Sequence, residues 1–140
     1  MQNIGSFEDR MLVREAYGLY ALASCEPDVE AWLDLWTEDA QWNSHLFKRR
    51  GRDDLREQWH ELWANFDKVG FLSEVGPVQV SGNLARARSV AREVIRLADG
   101  SIFKLIGIYD DELVRSGETW LFARRDYTPL VEEFPVSESS

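Results

Sequence analysis

The apolar positions of the chain change their period twice. Between Phe7 and about Ala23 they recur at helical spacing, with Leu12, Ala16, Leu19 and Ala23 on one stripe flanked by Tyr17 and Tyr20. Pro27 ends that helix and Asp28 can start a second, whose apolar side carries Val29, Trp32, Leu33, Leu35 and Trp36. Trp32 and Trp36 are four apart, which predicts two indoles on one helical face. The stretch WTEDAQW then reads as a hinge: Glu38 and Asp39 end the second helix in solvent, and Trp42 and Ser44 alternate with Asn43 and His45 as a short strand. Asp54 followed by Glu57 forms a plausible capping box for a third helix to about Phe66, with Leu55, Trp59, Leu62, Trp63 and Phe66 on its apolar face.

The remainder is strand-like. Phe71–Val80, Leu84–Leu97, Ile102–Val114 and Thr119–Tyr127 are separated by Ser81-Gly82-Asn83, Asp99-Gly100 and Ser116-Gly117, turn residues that predict antiparallel hairpins. Side chains alternate between the faces of a strand. In Leu84–Leu97 that alternation puts Arg86, Arg88, Arg92 and Arg96 outward, and Ala85, Ala87, Ser89, Ala91 and Glu93 inward. In Ile102–Val114 it puts Phe103, Leu105, Gly107 and Tyr109 on one face and Ile102, Lys104, Ile106 and Ile108 on the other. A strand apolar on both sides at the end of a small domain predicts a homodimer through the sheet. Three helices followed by a meander is an α+β fold, with the helices on one side of a curved sheet.

Composition narrows the function. The chain has 140 residues and a net charge of −9, the size of one domain and a poor match for a phosphate backbone. The basic run Lys48, Arg49, Arg50, Arg52 is short, lacks interleaved aromatics and reads as a solvated loop, so no nucleic-acid partner is expected. The single cysteine excludes an intrachain disulfide, and two histidines without ligand spacing predict no metal. No apolar run approaches the about 20 residues of a membrane span, no signal-peptide pattern opens the chain, and a cytoplasmic protein is expected. One domain is expected over residues 1–140, with its core at about 7–127 and a tail from 128 that frays after Phe134. Six tryptophans call for a large aromatic core or an apolar pocket.

The helix-to-strand segment YALASCEPDVEAWLDLWTEDAQW and the closing GIYDDELVRSGETWLFARR resemble the SnoaL-like branch of the nuclear transport factor 2-like superfamily. The resemblance runs from about Phe7 to Tyr127. It implies a cone of three helices in the concave face of a curved, mainly antiparallel sheet, usually dimeric and needing no cofactor. Its members include ketosteroid isomerases, scytalone and bile-acid dehydratases, lindane dehydrochlorinase, polyketide cyclases, dioxygenase small subunits and non-catalytic proteins, so the fold leaves the activity open. Position by position, the isomerases' tyrosine falls on Tyr20, their base on or beside Ser44 with His45 next to it, and their second oxyanion donor near Tyr109 or Asp110. The dehydratases' aspartate falls on Cys25, their histidine on or near Phe71, and a late arginine on Arg125. The aspartate–histidine dyad is therefore absent from its usual places.

Two readings follow. One is a proton-transfer isomerase, dehydratase or cyclase acting on an apolar ring compound such as a steroid, polyketide or aromatic. His45 would be its base, Tyr20 its oxyanion donor and Arg125 its orienting cation. The other is a non-catalytic ligand-binding or accessory protein, including a dioxygenase small-subunit-like role. Trp42, Leu62, Trp63, Phe66, Phe71, Glu93, Leu105, Gly107, Tyr109 and Cys25 are the candidate pocket residues, and Glu93 and Arg125 are expected to partner each other or another polar group. His60, beside Trp59, reads as a surface or helix-contact residue.

Overall fold

The computed structural model describes residues 1–135. Helix α1 (Phe7–Cys25) starts at Ser6, whose hydroxyl accepts from the Asp9 amide at 3.1 Å. Its buried face is Val13, Ala16, Tyr17, Tyr20, Ala23 and Ser24, an unbroken i, i+3, i+4 series. Leu19, expected on that stripe, is 55% exposed, because the two tyrosines pull the buried face round toward themselves.

Helix α2 is a single turn, Val29–Leu33, capped by Asp28. Trp36 belongs to strand β1 (Trp36–Asn43) rather than to the helix, and its indole meets Trp32 edge-on across the helix-to-strand junction at 5.5 Å. WTEDAQW is thus a strand in which Trp36, Ala40 and Trp42 are buried while Glu38 and Asp39 are exposed. The two acids sit where β1 bows away from its parallel partner β6 (Thr119–Glu133): Trp36 pairs with Phe122 and Gln41 with Arg124, leaving four residues between pairs.

The basic run is also ordered. Lys48–Arg50 form β2, antiparallel to β1. Arg49 donates to Gln58, Asp54 and Glu61 of helix α3 (Arg52–Trp63) at 2.9, 2.7 and 2.9 Å. A solvated loop would leave that guanidinium free; here it ties β2 to α3. Helix α3 begins at Gly51 without a side-chain cap. Asp54 accepts from the Arg50 amide at 2.9 Å in place of the expected capping box, and Phe66 opens the next strand.

Strands β3 (Phe66–Ser81), β4 (Leu84–Leu97), β5 (Ile102–Ser116) and β6 form the meander, and the six strands lie in the order β2-β1-β6-β5-β4-β3. Gly82, Gly100 and Gly117 hold positive φ at the three hairpin turns, where a side chain would be strained. The alternation along β4 is as predicted. Ala85, Ala87, Ser89 and Ala91 are buried, while two of the outward arginines meet acids, Arg88 with Asp110 and Arg96 with Asp67, both at 2.7 Å. Strand β6 runs past Tyr127 to Glu133, so its paired region enters the stretch expected to be tail, and Phe134 stacks on Phe103. The remaining part of that expectation, residues 136–140, lies outside the described residues. No helix among the described residues is long and apolar enough to cross a membrane. The core between helices and sheet is aromatic, with Trp32, Trp36, Trp120 and Phe122 fully buried.

Candidate functional site

The concave side of the sheet encloses two adjoining cavities. The inner one, about 60 Å³, lies under Tyr20 and Ser24 of α1, Trp32, Trp59 and Trp63, and is closed by Val69 and Phe71 of β3. The outer one, about 120 Å³, opens past the β1–β2 turn (Ser44–Phe47) and is bounded by Leu105, Tyr127 and Glu132. Trp42, Leu62, Phe66, Glu93 and Tyr109 line both, so Glu93 stands at their junction. Larger depressions lie elsewhere. One of about 380 Å³ is bounded by Ile4, Leu84 and Val114, and a groove of about 160 Å³ lies among Arg88, Asp110, Arg124 and Asp126. In that groove Arg88 and Asp110 neutralise each other, as do Arg124 and Asp126.

Glu93 reaches the cavity because it keeps the inward parity of β4. Across the sheet it faces Phe71 on one side and Leu105 on the other, neither of which offers a polar group from its side chain. Its residual surface belongs to the cavity, so half-burial by area coexists with a crowded carboxyl. Burial pushes that carboxyl from the usual 4.5 up to about 7, against the opposing pull of Arg125. Among the described residues no cation lies within ion-pair distance of it.

Of the two partnerships open to Glu93 and Arg125, the pair with each other does not form, and Arg125 takes another polar group, Asp111. Arg125, fully buried, donates to both oxygens of Asp111 at 2.9 and 3.1 Å, and the Tyr17 hydroxyl donates to the same carboxylate at 2.5 Å. Asp111 lies directly opposite Arg125 across β5 and β6. Burial alone would lower the arginine's pKa, but Asp111 and the surrounding tyrosines raise it, so the guanidinium stays charged. Burial pushes the Asp111 carboxyl up, while three converging donors hold it as a carboxylate. Arg125 also lies against the rings of Tyr109 and Tyr20, at 3.8 and 4.4 Å from their centroids. It lines neither cavity. It supports from behind the two tyrosines that do. Burial raises both phenols above their usual value, so each remains a hydrogen-bond donor at neutral pH.

Tyr20, His45 and Arg125, assigned to the chemistry from sequence, do not converge. Tyr20 lines only the inner cavity and His45 only the outer, where its Nε2 is 3.0 Å from the Glu132 carboxylate at the mouth. Phe71 and Trp63 narrow the inner cavity, and Leu62, Phe66, Leu105, Trp42 and Tyr109 also stand in the walls. Cys25 and Gly107, expected there, lie outside both cavities. The Cys25 thiol accepts from the Phe71 amide at 3.2 Å, so the two positions that would carry the dyad are neighbours holding a thiol and a phenyl ring. Gly107 lies beneath the Tyr127 ring, leaving no room for a side chain. Gly107→Ala is expected to displace Tyr127 and cost about 1–3 kcal/mol, as overpacked sites do; thermal denaturation beside the parent protein checks this.

Sequence reasoning missed Asp111. Its signal was the parity of β5, in which Tyr109, Asp111 and Leu113 share the buried face, whereas Asp110 points outward to Arg88.

Helices seated in a curved, mostly antiparallel sheet around an aromatic core define an α+β cone protein. The chain belongs to the SnoaL-like domain family, whose model matches residues 5–126. Solved structures share the fold. A Novosphingobium aromaticivorans protein assigned as an aromatic ring hydroxylase is 24% identical, with 91% of this chain and 92% of that one covered and a TM-score of 0.85. A protein of the same organism assigned as a scytalone dehydratase is 19% identical, with 94% and 95% covered and a TM-score of 0.83. A hexachlorocyclohexane dehydrochlorinase from Novosphingobium barchaimii is 13% identical, with 94% and 92% covered and a TM-score of 0.78. No match was found among curated proteins.

Proposed function

We propose that this protein is a cofactor-independent enzyme that moves a proton on an apolar ring compound, in an isomerisation, dehydration or cyclisation. The observation that carries this reading is Glu93, an unpaired carboxylate titrating at about 7 where two aromatic-walled cavities meet. Ionised, Glu93 takes a proton from a carbon or hydroxyl held against it. Tyr20 and Tyr109 donate hydrogen bonds to the oxygen on which charge then develops. Arg125, locked by Asp111, is a positioning residue that holds both rings in place. The neighbours assigned as a dehydratase, a dehydrochlorinase and a ring hydroxylase support the same substrate class. The role given to His45 in the sequence reading passes to Glu93 because His45 is held at the mouth by Glu132.

The test is turnover against panels of phenolic, polyketide and steroid compounds, followed by Glu93→Gln on any substrate found. The variant is expected to lose about 10²–10⁴-fold in kcat, the usual worth of a general base. An unchanged kcat would remove Glu93 from the chemistry. A second reading, ligand binding without turnover, is favoured by Cys25 and Phe71 in the dyad positions; retained ligand binding with no turnover across the panel would select it.

The assembly we infer is a homodimer through the outer sheet face. Cross-strand pairing aligns Leu72, Arg92, Ile106 and Val131 in one row and Val90, Ile108 and Thr128 in the next, with Leu72, Val90 and Val131 exposed. Light scattering at micromolar concentration is expected to give twice the chain mass, and a monomer would contradict it.

A further inference from the structure

We infer that the pocket selects a small ring compound carrying a basic nitrogen, which sits as an ammonium against Glu93. This deepens the proton-transfer reading and rests on its pocket. Three observations carry it, beginning with size. The outer cavity is about 120 Å³, and a dry cavity of roughly 150 Å³ takes a benzene ring. One ring, or a fused pair reaching into the inner cavity, fills the space.

The second is wall chemistry. Trp42, Phe66 and Tyr109 face both cavities, with Trp59 and Trp63 further in. A cage of aromatic faces around a carboxylate is the arrangement that recognises ammonium groups, through cation–π attraction combined with an ion pair.

The third is charge. The groups around Glu93 in the cavities are Tyr20 from α1, Tyr109 from β5, Tyr127 from β6, and at the mouth His45 with Glu132; Arg125 of β6 acts on it by charge from behind the tyrosines. The phenols are neutral. Arg125 is compensated by Asp111 behind the tyrosines, and Glu132 accompanies His45. Among the described residues no uncompensated cation is left in the cavity to pair with an anionic ligand, which would find only neutral donors such as the phenols and the Trp42 indole, whereas Glu93 has no cation of its own. The net charge of −9 attracts cations to the opening as well.

The probes are phenethylamine, 2-phenylethanol and phenylacetate, which share a ring and differ in charge. Their affinities are measured calorimetrically on the full chain and on Glu93→Gln, at pH about 8 and about 5.5, conditions under which an alkylammonium stays charged and Glu93 changes state. At the higher pH the amine is expected to bind at least about tenfold more tightly than the alcohol, and the carboxylate least well. That preference should collapse in Glu93→Gln and at the lower pH. An alcohol that binds as well as the amine would overturn the inference while leaving the apolar pocket in place, as would a preference that survives Glu93→Gln. Phenylacetate binding most tightly would overturn it too. Failure of all three probes to bind would overturn both the inference and the pocket reading.

Discussion

Replacing Asp111 with alanine is expected to destabilise the fold by about 3–5 kcal/mol, the cost of leaving a buried charge without its partner. Arg125 has no solvent exposure, and Asp111 supplies the acceptors for its Nε and one Nη, while its other Nη has no partner among the described residues. Without the carboxylate the guanidinium would be held among Tyr17, Tyr20, Tyr109 and Phe122 with nothing to neutralise it. The Tyr17 hydroxyl would lose its acceptor at the same time. Chemical denaturation measures the loss. Asp111→Leu combined with Arg125→Met removes both charges, and is expected to recover much of the stability lost in Asp111→Ala, because well-packed apolar residues can replace a buried pair at little cost. A loss below about 1 kcal/mol in Asp111→Ala would show that the pair does not have the buried geometry described here.

The second large effect concerns Glu93, whose replacement by glutamine is expected to stabilise the protein. The carboxyl titrates near 4.5 in an unfolded chain and at about 7 in the folded one. Below about pH 4.5 it is protonated in both states and costs nothing. As the pH rises from about 4.5 to about 7, the unfolded chain ionises Glu93 while the folded chain retains the proton, so stability falls across that window and levels off above it. The displacement corresponds to ~3 kcal/mol at pH about 8. Glu93→Gln should remove this slope and be more stable than the parent by a comparable amount above neutrality. Denaturant midpoints across the window check it. A parent protein whose stability is indifferent to Glu93→Gln at every pH would mean that the carboxylate is solvated. Such a gain in stability on losing a polar group is the mark of a residue kept for function.

Much of the fold was legible because it rests on local signals. Helix α1 follows from periodicity and the meander from glycine turns, and the hairpin strands begin or end close to the predicted residues. What failed depended on distant partners. Glu38 and Asp39 disguised β1, since the bow that keeps them in solvent is set by its parallel pairing to β6. Lys48–Arg50 has no strand signature of its own and becomes a strand by pairing with Gln41–Asn43, with Arg49 anchored on α3.

The site was legible to the same depth. Parity in β4 placed Glu93 inward correctly, but the identity of its neighbours depends on register, which parity does not contain. The hairpin of β5 and β6 pairs Leu113 with Phe122, then shifts by one residue at Ala123, so that Asp111 meets Arg125. That bulge turns Arg125 inward three residues after the inward Phe122, and it is the reason the arginine is bound by Asp111 rather than by Glu93. The resemblance to catalytic relatives pointed to the positions of Tyr20 and Arg125. It passed over Glu93 as a proton carrier because that residue stands outside the positions their motifs mark.

The proposed chemistry depends on the Glu93 carboxyl keeping its proton up to about pH 7. A carbon-detected NMR titration of the glutamate side chains, run on the parent protein and on Glu93→Gln, reads this directly. The predicted result is one glutamate resonance with a midpoint near pH 7 that disappears in the variant. A set of glutamates all titrating below about pH 5, with Glu93 among them, would contradict it.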